Sequence, residues 1–143
     1  MKPPAAALAW LLLAAVPLGA QATVSDYASG RRLRRIEGGI LSDWATGRRT
    51  DRLADGIISD YGSGRRKLRY DQGIVSDYRS GRRLFRLEGG VVSAYASGRR
   101  LYRFDAGILT DYASGRRLYR VEGDLSPEAL VMTLASLGLL DLG

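Results

Sequence analysis

A period of seventeen residues runs six times without insertion or deletion through the chain, as 24–40, 41–57, 58–74, 75–91, 92–108 and 109–125. Equal copies of this length restrict a chain to repeat architectures, in which each unit is one supersecondary element that buries its apolar face against its neighbours. Position seven is glycine in every copy: Gly30, Gly47, Gly64, Gly81, Gly98 and Gly115. An arginine pair follows it each time, Arg31-Arg32, Arg48-Arg49, Arg65-Arg66, Arg82-Arg83, Arg99-Arg100 and Arg116-Arg117. Position four is always aromatic: Tyr27, Trp44, Tyr61, Tyr78, Tyr95 and Tyr112.

Each copy holds two turn signals. Ala28-Ser29-Gly30 has the form of a turn ending in a left-handed residue, where glycine avoids a Cβ clash. Glu37-Gly38-Gly39 is a second, glycine-rich reversal. Between them lie short runs of β-branched and aromatic residues. The pattern predicts an all-β repeat protein, a single-layer antiparallel meander of about twelve short strands built from six hairpins. A parallel β-solenoid with one coil per repeat is the alternative; it would stack identical arginines in columns ~4.8 Å apart. Spanning strands of a membrane barrel need ~9–11 residues, more than these runs provide.

A three-residue bulged turn at Ala28-Ser29-Gly30 sets position one opposite position eleven and position three opposite position nine. A two-residue second turn sets position thirteen opposite the next copy's first residue, as Ile36 faces Leu41. Both turns then put positions one, three, nine, eleven and thirteen on one face. Five cross-strand ion pairs are expected from that register: Asp26–Arg32, Asp43–Arg49, Asp60–Arg66, Asp77–Arg83 and Asp111–Arg117. Ala94 interrupts the series and leaves Arg100 without its partner. The first arginine of each pair is expected to stack on the position-four ring.

The chain has neither cysteine nor histidine, which removes thiol nucleophiles, imidazole bases, disulfides and the usual soft-metal ligands. Its aspartates recur once per repeat beside arginine, a setting that favours the ionised, inert carboxylate. No Asp-x-Asp-Gly series supplies a calcium loop. The expectation is a non-catalytic protein with no cofactor, no metal and no small-molecule substrate. Of 22 basic residues all but Lys2 and Lys67 are arginine, and the net charge is +7. Arginine's planar fork suits carboxylate and phosphate contact. Candidate anion-binding residues are therefore Arg31, Arg48, Arg65, Arg82, Arg99 and Arg116, with the unpaired Arg100.

Both ends depart from the repeat. Lys2, the apolar run Ala5–Val16 and Ala20-Gln21-Ala22 read as a signal peptide over 1–22, cleaved after Ala22, which implies a secreted or periplasmic protein. Over 126–143, Ser126-Pro127-Glu128 is a helix start and Leu130, Val131, Leu134 and Leu137 fall on one face. Gly138 is placed to end that helix. It is expected to cap the exposed edge of the last strand.

The motif Tyr112-Ala113-Ser114-Gly115-Arg116-Arg117 resembles the Tyr-x-x-Gly-Lys turn of MORN-type repeats, in particular their bacterial variant form. The resemblance covers 24–125 and implies tandem hairpins in an open single layer, with a role in membrane or protein binding and scaffolding. Composition and repeat together lead to an exported binding or scaffold module for an anionic polymer, an envelope surface or a partner protein. Export favours lipid headgroups, lipopolysaccharide or acidic polysaccharide over nucleic acid. The competing expectation is a structural protein that self-assembles through unblunted strand edges, since all four prolines lie outside the repeats.

Overall fold

The first five repeats use both turn signals and the sixth only the first, and the computed structural model, which describes residues 21–142, shows how the two differ. The glycine-rich reversal is a two-residue type I′ turn. Both central residues have positive φ, from Gly38 (59°) and Gly39 (80°) to Ala106 (52°) and Gly107 (79°). That turn matches the right-handed twist of the flanking strands. The second of the two residues has no freedom, because a Cβ on Gly39 would lie 2.7 Å from the carbonyl oxygen of Leu53 in the next repeat.

Twelve strands result: β1 (Gln21–Asp26), β2 (Arg32–Glu37), β3 (Ile40–Asp43), β4 (Arg49–Ala54), β5 (Ile57–Asp60), β6 (Arg66–Asp71), β7 (Ile74–Asp77), β8 (Arg83–Glu88), β9 (Val91–Ala94), β10 (Arg100–Asp105), β11 (Ile108–Asp111) and β12 (Arg117–Gly123). Each pairs antiparallel with its neighbours in the chain, as the hairpin reading requires and a parallel solenoid does not allow. The meander then closes. β1 pairs with β12 in the register used between other repeats, with Val24 opposite Val121, so the sheet is a closed barrel rather than the open layer the resemblance implied. Closure removes every free edge, and with it the strand-edge route to self-assembly.

The predicted pairing of position one with position eleven holds, as in Val75 opposite Phe85, and so does Ile36 opposite Leu41. The pairing between them does not. The loop is four residues long, closed by Asp26 N–H donating to the Arg31 carbonyl at 2.8 Å, so position three meets position eight. Ser25 then faces Arg32, and a β-bulge that leaves Leu33 opposite the Val24–Ser25 step absorbs the extra residue. The bulge turns position ten inward and position nine outward. The five expected Asp–Arg pairs are therefore absent, and positions one, three, ten, eleven and thirteen line the interior.

An eight-stranded barrel is just filled by its own side chains, whereas twelve strands enclose a wider lumen. Helix α1 (Pro127–Ser136) occupies it. Six consecutive residues, Ala129 to Leu134, are buried, so the helix is enclosed on all sides rather than lying over one edge. They form one core with Val24, Leu41, Ile58, Val75, Val92 and Leu109. Arg34 on β2 donates from Nε to Ser136 Oγ at 2.9 Å, and Tyr102 on β10 donates to the Leu139 carbonyl at 2.8 Å. The expected capping role is corrected accordingly: α1 is a plug. Its ends follow the sequence, with Ser126 Oγ accepting from Ala129 N–H at 3.2 Å and Gly138 left-handed at φ 75°.

The expected leader lies outside the described residues except for its last two. Gln21 and Ala22 belong to β1; Ala22 is buried and the Gln21 carbonyl accepts from Asp124 N–H at 2.9 Å. Cleavage after Ala22 would strip both from the barrel seam.

Candidate functional site: an arginine-rich outer wall and rim

The six four-residue loops form one rim of the barrel and the type I′ turns form the other. In five of the six loops an aspartate serves its own turn. Asp26 Oδ2 accepts from Ser29 N–H at 2.8 Å and from Ser29 Oγ at 2.9 Å, and Asp43, Asp60, Asp77 and Asp111 repeat the arrangement. The N–H bond is the largest cause of the depressed pKa of these carboxyls, followed by the hydroxyl bond. In all six loops the position-six hydroxyl accepts the position-eight N–H at 3.2 Å, as Ser97 does from Arg99. The loops are thus held from within, by backbone groups of the position-eight arginines but not by their guanidinium groups.

The position-nine arginines lie on the outer wall and reach across to the aromatic ring of the following repeat. Arg49 Nη1 donates to Tyr61 Oη at 3.2 Å and Arg83 to Tyr95 at 3.1 Å. Their guanidinium groups stand 5.2–5.8 Å from the ring centroids, as do those of most position-twelve arginines. At exposed sites such contacts are only weakly stabilising. The expected stacking partner was position eight; the bulge gives that place to position nine. The series also crosses the seam, with Arg117 Nη1 donating to Tyr27 Oη at 3.1 Å. Hydrogen bonding from Arg117, Arg83 and Arg100, with their charge, lowers the pKa of Tyr27, Tyr95 and Tyr112. Arg100 behaves like its counterparts, bonding Tyr112 at 3.2 Å, so Ala94 does not set it free.

Two grooves on the outer wall, of about 600 and 470 Å³, use equivalent positions in different repeats. Arg35, Ser42, Trp44 and Arg49 line one; Arg86, Ser93, Tyr95 and Arg100 line the other. The first offers two guanidinium groups and one aromatic ring beside Glu37 and Asp43; the second offers three guanidinium groups, with Arg103, and two rings, with Tyr112, beside Glu88. At the rim, Arg31, Arg48, Arg65, Arg82, Arg99 and Arg116 are exposed, and among the described residues none of them forms an ion pair.

Where repeats one to three meet α1, polar residues replace the apolar lining. Asp51, 5 % exposed, receives Lys67, and Arg34 lies 3.4 Å from Asp43. Arg34 also places a cation at the negative C-terminal end of α1, beside the Ser136 carbonyl at 3.4 Å. Position eleven was expected on the inner face, but the inward turn of position ten had no sequence signal beyond Leu33, Leu84, Leu101 and Leu118. No known family, curated protein or solved structure matches this chain.

Proposed function

We propose that this is an exported, non-catalytic module that binds a polyanion or anionic envelope surface through the arginines of its loop rim and outer wall. The observation that carries the reading is the state of the six position-eight arginines. The five loop aspartates are already satisfied by loop N–H and hydroxyl groups, and the six guanidinium groups remain exposed without an ion pair among the described residues. The six rim positions recur once per repeat around a closed ring, so a linear polyanion meets several at once and gains avidity from their spacing. The outer wall is a water-facing surface, because arginines at positions nine and twelve of every repeat would each cost ~2–4 kcal/mol in a lipid core. The MORN-type resemblance fits the same scaffold role.

Titration with heparin or polyphosphate at several salt concentrations tests this. Affinity should fall linearly on a log–log plot against salt. Replacing Arg31, Arg82 and Arg116 with glutamine should weaken binding at least about tenfold and flatten that slope. Binding that ignores salt, or no binding to either polymer, would refute the reading.

A further inference from the structure

The charges of the barrel are sorted by end. Positions eight and nine, which carry arginine in all six repeats, lie at or beside the loop rim. At the other rim each of the first five repeats places an acid immediately before or within its type I′ turn, Glu37, Asp55, Asp71, Glu88 and Asp105, and the sixth places Glu122 near the end of β12. No lysine or arginine occurs at positions thirteen to seventeen of any repeat, nor anywhere in 121–143. Asp124 and Glu128 add to the acidic end, where α1 begins. Two of the rim acids are partly engaged by arginines of their own strands, Glu37 by Arg35 at 3.7 Å and Glu88 by Arg86 at 4.0 Å. Asp71, Asp105 and Glu122 have no ion pair among the described residues.

One end of the molecule therefore carries a ring of position-eight and position-nine arginines that outnumber the five loop aspartates, and the other a ring of anions, both with the spacing of the same six repeats. We infer that the partner of the acidic rim is the basic rim of a second copy, so that barrels associate head to tail. Such a contact is heterologous: each copy uses one rim and leaves the opposite rim open, so it propagates as a stack instead of closing as a dimer. A sixfold match of rings lets each cation of one copy approach an anion of the next in any of six rotations. Opposed charge over a shared geometry sets the direction of association and its salt dependence. Strand edges have no part in it, since the barrel has none. A polyanion on the loop rim would compete with the neighbouring copy, which makes stacking and polyanion binding alternative states of one surface.

Sedimentation velocity with two charge-reversed proteins decides the matter. One carries Asp71→Lys, Asp105→Lys and Glu122→Lys; the other carries Arg65→Glu, Arg99→Glu and Arg116→Glu. All six positions are exposed, and circular dichroism checks that both variants fold. The unaltered protein should form larger species as concentration rises at low salt, and these should dissociate above ~0.5 M salt, where screening is within a few ångström. Each variant alone should associate at least about tenfold more weakly, and an equimolar mixture of the two should associate again. A wild-type protein that stays monomeric at low salt overturns the inference, as does a mixture that behaves as the sum of its parts. Either result leaves polyanion binding to be judged by its own titration.

Discussion

A single side chain distinguishes the fifth loop from the other five. Ala94 stands where the others have aspartate, yet its backbone makes the same bonds, Ala94 N–H to the Arg99 carbonyl at 2.8 Å and Gly98 N–H to the Ala94 carbonyl at 2.9 Å. What it lacks is the carboxylate that elsewhere accepts from the position-six N–H and hydroxyl. Ala94→Asp should therefore raise the thermal midpoint, and Asp77→Ala should lower it by a comparable amount, both read by circular dichroism. The recurring Asp and Ser of the loop were visible in the sequence, but their partnership was not. Asp26 and Arg32 are opposite charges at a cross-strand spacing, whereas Asp26 and Ser29 form a local motif that depends on loop length. A loop one residue longer and a bulge one residue deep shift the register in opposite senses. Position one therefore meets position eleven under either reading, while the residues between change partners.

Among the elements, the type I′ turn is the most tightly specified. Its first central position accepts Gly38, Asp55, Gln72, Gly89 or Ala106, while its second is glycine in each of the five turns. The difference is steric: a Cβ at Gly38 meets nothing within 4 Å, and one at Gly39 meets the Leu53 carbonyl oxygen at 2.7 Å. Gly38→Asn should leave the denaturation midpoint nearly unchanged. Gly39→Ala, which combines that contact with a positive φ, should cost about 2–4 kcal/mol in chemical denaturation. This rule was legible because glycine has one conformational property that no other residue shares. The helix was legible only in part. Its cap, proline and apolar face were plain, but Met132 and Thr133 become core residues only because a twelve-stranded lumen surrounds them.

At the scale of the whole molecule, stability responds to pH through the loops acting together. The carboxyls of Asp26, Asp43, Asp60, Asp77 and Asp111 have folded-state pKa values below their ordinary 3.8. Their contribution is thus fully present above that value and disappears as pH falls through the lower folded-state values. Urea midpoints should show no change from this source between pH 7 and 5, and a decline below about pH 3.8. A midpoint unchanged down to pH 2 would show that the loop bonds contribute nothing. Closure itself left no mark on any one residue, because the seam reuses the contacts of every other junction, Tyr27 with Arg117 included. It also fixes the arithmetic of the gene. An open array tolerates gain or loss of a unit, whereas here one added repeat would widen the circumference by two strands and loosen the helix inside, and one lost repeat would leave that helix no room. With six repeats the ring is complete, and a seventh finds no open edge on which to add.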